Sequence, residues 1–218
     1  MKAELLEVFG NDLMVANTAR VSFNRCKPAL EESDKRLIAY LAKHGHWSPF
    51  SHPKAQFRIT APIFVARQWE KHRVGCIRGY DIYDHNEVSR RYVESEPEFY
   101  TPGVWRSRPD GSIKQGSGSP LDRDANGLAD SILADFYISA RHTYMHLLKA
   151  GVAPEQARMI LPQSMYTSWI ETGSLAYWAR LCRQRLDSHA QQEIADLAEL
   201  VSEAMAAAFP ISWEELMR

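Results

Sequence analysis

The sequence predicts an α+β fold, a single domain over residues 1–218 with a central antiparallel or mixed sheet flanked by long helices. Residues 54–60, KAQFRIT, alternate apolar and polar side chains with the period of a half-buried strand. The stretches 33–44, 125–150 and 189–208 instead repeat apolar residues every three or four positions, as amphipathic helices do. A chain of 218 residues with no internal repeat suits one generous domain with a sizeable core.

Taken in order, NDLMVANTARVSF (11–23) opens on the helix-capping pair Asn11 and Asp12, so a short strand precedes it and a helix runs through it. The next helix, Ser33 to His44, carries Leu37, Ile38 and Leu41 and ends at Gly45, a natural C-terminal cap. After the 54–60 strand, Thr60 is expected to cap a helix with Pro62 in its first turn and Val65, Trp69 and His72 on one stripe. Three prolines and five glycines between Pro102 and Gly127 mark a long mobile loop, about 102–126. The long helix from about Ala125 to Ala150 is expected to bury Ile132, Phe136, Ala140, Tyr144, Leu147 and Leu148, with Gly151 ending it. Pro154 opens a short helix through Ile160, and 164–172 reads as a strand. Two helices close the chain, about 175–186 and 189–208. Ser188 and Gln191 have capping-box spacing for the second, and Ile194, Leu197, Val201, Met205 and Ala208 face inward.

Composition narrows the function. Lys and Arg number 26 against 27 Asp and Glu, for a net charge of −1, with 45% apolar and 24% charged residues. That is a globular profile, and the neutral balance argues against coating nucleic acid or an anionic membrane. No apolar run approaches the roughly 18 residues of a membrane span, and the start MKAELLEVFGND lacks a secretion signal. Cys26, Cys76 and Cys182 are odd in number and far apart, so neither a disulfide scaffold nor a zinc site is expected. A cytoplasmic location is expected.

The informative residues are charges where the pattern asks for apolar groups. Arg185 lies seven residues from Trp178, four from Leu181 and three from Cys182, on one inward helical face. A guanidinium there needs an anion-like partner, because burying it alone is costly. The competing reading is a helix-end arginine that reaches water and complements the last carbonyls. QWEKHR (68–73) and NEVSRRY (86–92) form a second cluster that, within 25 residues, offers Lys71, Arg73, Arg78, Arg90 and Arg91 with His72 and Ser89; Arg158 is placed to join them. Arginine forks with hydroxyl and backbone N–H groups are how small phosphate esters are held, although a solvated charged turn has the same composition. His142 and His146, four apart, have metal-ligand spacing but no accompanying acid in an HExxH arrangement, and read as surface histidines. His44, His46 and His52 flank a turn that could line a cleft. No metal site is assigned, and GxGxxG, P-loop and GxSxG motifs are absent.

HWSPFSH (46–52), APIFVARQWEKHR (61–73), NEVSRRY (86–92), EFYTP (98–102), ARMILP (157–162) and RLDSHAQQEI (185–194) together resemble the flavin-dependent thymidylate synthases over nearly the whole chain. The family signature is an R-H-R triplet followed by an E-x-S-x-R-Y run. The resemblance implies a homotetramer with active sites shared between subunits. It also implies methylation of dUMP at C5 with FAD, methylenetetrahydrofolate and NADPH, and without a cysteine nucleophile. By position, Lys71, His72 and Arg73 would contact FAD, with Asn86 nearby. His46 and Ser48 would lie by flavin and folate. Gln68, Glu87, Ser89, Arg90 and Arg91 would form the dUMP loop, Arg91 and Arg158 meeting the phosphate. Arg185 would be the catalytic arginine that polarises the uracil.

Three departures stand out. Lys71 replaces the first arginine of the triplet, and VGCIRGYDIYDH (74–85) is longer than in compact relatives, implying an insertion at about 75–85. Tyr80 and Tyr83 within it are candidates to stack on flavin, folate or a neighbouring subunit. Ser174 and Ala176 stand where the family offers Asn and Arg to the flavin, leaving Arg180 as a substitute. These departures motivate one alternative, a related flavin and folate enzyme with another product or pyrimidine nucleotide, such as C5 hydroxymethylation; a non-catalytic nucleotide-binding relative is a separate one.

Overall fold

The computed structural model describes residues 1–72, 85–93, 95–109, 111 and 116–218. In order it contains β1 (Lys2–Phe9), α1 (Asp12–Ala19), α2 (Glu32–Lys43), β2 (Lys54–Pro62), α3 (Ile63–Trp69) and β3 (His85–Glu87). Then come α4 (Arg123–Lys149), α5 (Pro154–Ala157), β4 (Tyr166–Ser174), α6 (Leu175–Arg185), α7 (Gln192–Ala208) and α8 (Pro210–Met217). The fold is α+β, with one four-stranded sheet in the order β1-β2-β4-β3. Strands β2 and β4 pair antiparallel: Gln56 Nε2 donates to Thr172 Oγ1 at 3.0 Å, and four residues on Thr60 Oγ1 meets Ser168 Oγ at 2.7 Å.

Two compact units are resolved. The first comprises Met1–Ile59, Trp69–Asn86 and Trp169–Arg218, the second Thr60–Gln68 and Glu87–Ser168. Within the first, β2 buries Ala55, Phe57 and Ile59, the face its alternation predicts. Trp178 of α6 stacks edge-on against Phe57 at 4.9 Å and donates its indole N–H to the carbonyls of Ala55 and Gly173, both at 3.1 Å. Helix α7 adds Ile194, Leu197, Val201 and Met205, all fully buried, while Ala208 is only half-buried. Asn11 Oδ1 caps α1 by accepting from Met14 N at 3.0 Å, and Gly45 follows α2 with a positive φ of 68°.

Several expectations change. Thr60 does not cap a helix: it lies inside β2, its hydroxyl is taken by Ser168, and α3 begins at Ile63. The first N–H groups of α3 are instead satisfied from the far side of the strand pair, Ile63 N by Met165 O and Phe64 N by Gln163 O, both at 3.0 Å. Ser188 does not cap α7. That helix starts at Gln192 with Gln191 at its cap and no side-chain cap bond, and Ser188 sits in an exposed turn beside His189. Helix α4 starts at Arg123, capped by Asp122, and of its expected inner face only Ala140 and Tyr144 are buried; Ile132 and Phe136 are 62% and 50% exposed. A further helix, α8, begins at Pro210. The ends of the glycine-rich loop are tied together, Ser107 N donating to Ser119 O and Leu121 N to Trp105 O, both at 2.8 Å. The insertion, with Tyr80 and Tyr83, lies outside the described residues, His85 excepted.

Candidate active site

In the second unit a cavity of about 630 Å³ opens beside the loop that follows β3. Arg67, Arg90 and Arg158 reach its wall from α3, that loop and the 3-10 turn after α5, together with Glu87 and the hydroxyl groups of Thr60, Thr167 and Ser168. The hydroxyls are already ordered: Thr167 Oγ1 donates to Glu87 Oε1 at 2.7 Å, and Thr60 is paired with Ser168. Arg158 Nε donates to Glu155 O at 3.2 Å, which fixes its stem while the other donors of its fork remain. Tyr166 also lines the cavity. Its phenol is pushed above its usual range by burial, then by the Glu98 carboxylate and by Tyr137.

Of the residues expected to hold dUMP, Glu87, Arg90 and Arg158 come together on this wall. Ser89 and Arg91 stand next in sequence but off it. Arg91 is exposed, and its N and Nε donate to Ser89 Oγ at 3.3 and 2.9 Å, so the two side chains are arranged as a pair. Gln68, half-buried near the end of α3, is not on the wall. Arg67 and the three hydroxyl residues were not singled out by the sequence. For Arg67 the one available signal is its place beside Gln68.

The first unit holds the remaining candidates. His72 is half-buried, and its Nε2 is buried with no hydrogen-bond partner among the described residues. Burial, then the positive charges of Arg185 and Arg180, lowers its pKa to about 4 against the weaker pull of Glu171. Arg185 is half-buried, with its Nε shut from solvent, and burial lowers the pKa of its guanidinium. Arg180, on the same helix, is exposed, as are Lys71 and Asn86. Arg73 lies outside the described residues.

Behind His72 is a carboxylate that the sequence reading missed. Glu171 is 4% exposed; the indole N–H groups of Trp69 and Trp169 donate to its Oε2 at 2.8 and 3.0 Å, and the Tyr177 hydroxyl donates to Oε1. The signal lay in the alternation of β4, which buries Thr167, Trp169, Glu171 and Gly173 in step and so puts an acid on the inner face. His85 stacks on Trp169 at 5.8 Å, with its Nδ1 3.9 Å from Glu171 Oε2. A second cavity of about 520 Å³ in this unit gathers His44, His46, Ser48 and His52, with the exposed Trp47 at its mouth. Ser174 is committed elsewhere: its Oγ accepts from Tyr177 N at 3.1 Å as the cap of α6. Cys182 is fully buried, its thiol is pushed up to about 12 by burial, and its Sγ faces Ala198 O. A thiol in that state is no nucleophile at neutral pH.

Arginine forks beside ordered hydroxyl groups are a chemistry suited to small anionic ligands, and so is the positive surrounding that Arg185 and Arg180 give His72. Residues 4–211 match the Thy1 family, thymidylate synthase complementing protein. The flavin-dependent thymidylate synthases of Thermotoga neapolitana and Kosmotoga olearia are 36% and 37% identical to this chain. Those similarities cover 99% and 98% of it and 90% and 88% of theirs. The crystal structure of a UMP/dUMP methylase, PolB from Streptomyces cacaoi, bound with 5-Br dUMP, is similar with a TM-score of 0.83 and 31% identity. That likeness covers 98% of this chain and 93% of that one. The chain belongs to the Thy1 family.

Proposed function

We propose that this chain is a flavin-dependent thymidylate synthase that methylates dUMP at C5 to dTMP. Methylenetetrahydrofolate is the one-carbon donor and NADPH the reductant of FAD. The observation that carries the reading is Arg185, half-buried near the neutral His72, in a chain that matches the family from residue 4 to 211. A pyrimidine carbonyl suits such a guanidinium: hydrogen bonds to charge developing on that oxygen favour the transition state over the ground state. Arg91 and Arg158 supply charge-assisted donors for the nucleotide phosphate, and Glu87 and Ser89 supply polar groups at the same loop. Cys182, protonated and buried, takes no part.

The residues present fit a flavin. His72 brings a neutral ring with an unsatisfied, buried Nε2, and the exposed Arg180 brings a cation suited to a diphosphate. His46, Ser48, Lys71, Arg73 and Asn86 complete the proposed flavin and folate contacts. When bound, FAD supplies hydride chemistry that no side chain has. The protein is proposed to act as a homotetramer in the cytoplasm; among the described residues, no helix is long and apolar enough to cross a membrane.

Incubation of the purified protein with FAD, dUMP, methylenetetrahydrofolate and NADPH, followed by mass analysis of the nucleotide, tests this. dTMP is expected; a hydroxymethyl product, or no product from a protein that takes up no flavin, overturns it. A second reading has one observation in its favour. PolB, called a UMP/dUMP methylase, is also solved with 5-Br UMP, in a structure 28% identical to this chain with a TM-score of 0.83. A parallel incubation with UMP decides it, since methylated UMP appears only if the ribonucleotide is accepted.

A further inference from the structure

Arg90 occupies the variable position of the E-x-S-x-R-Y run, between two residues proposed to serve the nucleotide. Its Nη2 donates to the carbonyl of Ser95, and its guanidinium carbon lies 5.4 Å from the ring centroid of Tyr144 on α4. Tyr144 is fully buried, and its hydroxyl in turn donates to the carbonyl of Val93 at 3.2 Å. One stacked pair of side chains thus holds two backbone carbonyls just beyond the binding loop and ties them to a long helix. The Nε of Arg90 is buried, with no hydrogen-bond partner among the described residues. With Nη2 engaged and Nε shut from solvent, the edge that these two groups share is not open to a ligand.

We propose that Arg90 is a positioning residue. With Tyr144 it clamps the segment after the loop, so that Ser89 and Arg91 are held ready for the nucleotide. The inference rests on the nucleotide reading of that loop. Within it, Arg91 and Arg158 contact the phosphate, and Arg90 acts on Arg91 through the backbone.

The test compares the parent chain with R90A, R90K, Y144F and R90A/Y144F. Binding of dUMP is measured by calorimetry, kcat and KM by turnover, and amide hydrogen exchange over residues 89–93. R90A and Y144F should each weaken dUMP binding about 3- to 10-fold, the loss expected for one hydrogen bond. The double variant should lose less than the product of the two, because the side chains act as a unit. R90K should recover part of the loss, KM should rise more than kcat falls, and amides at 89–93 should exchange faster in both single variants. A large loss in R90A with Y144F like the parent means that Arg90 meets the phosphate itself and overturns the proposal. So does unchanged exchange in R90A and Y144F. Failure of the parent to bind dUMP sinks the nucleotide reading instead, and exchange still reads whether the clamp exists.

Discussion

His72 is held neutral by the balance of its neighbours: burial and the positive charges of Arg185 and Arg180 oppose protonation, Glu171 favours it, and the ring titrates only near pH 4. In the unfolded chain the same imidazole takes a proton near its ordinary value, about 6.5. Between those limits the unfolded state binds more protons, so stability falls as the pH drops from about 6.5 towards 4. Urea unfolding at pH 7 and pH 5 should show that fall in the parent and a smaller one in H72Q; equal slopes would mean that His72 titrates normally. Arg185 is the other decisive side chain. R185A should lower kcat by about 10²- to 10³-fold, the effect of removing one donor to a developing oxyanion, while bound flavin, read by absorbance, is retained. Unaltered turnover would return Arg185 to the role of a helix-end arginine.

Local signals and distant partners divide the elements cleanly. Asn11 caps α1 three residues ahead of it, and sequence reading finds such a bond because both partners lie in one turn. Its neighbour Asp12 reads as the other half of the same cap, yet the two oxygens of its buried carboxylate accept from Ile211 N and Ser212 N at 3.1 and 2.8 Å and so cap α8, some 200 residues away. D12A should leave those amides unpaired and cost about 2 kcal/mol, a fall in Tm of roughly 4–8 °C in a chain this long, measurable by calorimetry. A Tm within a degree of the parent would show that water replaces the carboxylate. Gly173 answers to a neighbour one turn away: a Cβ there would come within 2.2 Å of the Tyr177 ring, whose hydroxyl holds Glu171.

The long helix α4 carries an apolar face that the single chain leaves open. Leu128, Ile132 and Phe136, at successive four-residue steps, remain 64%, 62% and 50% exposed, with Ile138 and Met145 also open. Its 3.6-residue apolar period is real, but periodicity tells which residues share a face and not what covers that face. A contiguous apolar stripe of this length favours a partner surface, and in the proposed homotetramer that surface is a second copy of the chain. I132E/F136E should sediment as a smaller species than the parent while keeping its helical circular dichroism. A double variant with the parent's sedimentation coefficient would place the subunit contacts elsewhere.

Strand β2, the cap at Asn11, the glycine after α2 and the burial of α7 could all be read from the chain. Each depends on residues within a turn or two of one another, and so did the ordered motifs that place the chain in its family. The partner of Thr60 lies 108 residues away on β4, the donors to Glu171 include an indole 102 residues back, and α8 takes its cap from Asp12. No local period encodes such pairings. Polar groups left over by the secondary structure must be satisfied wherever the packed chain brings a donor or acceptor close, and only folding in three dimensions decides where that is.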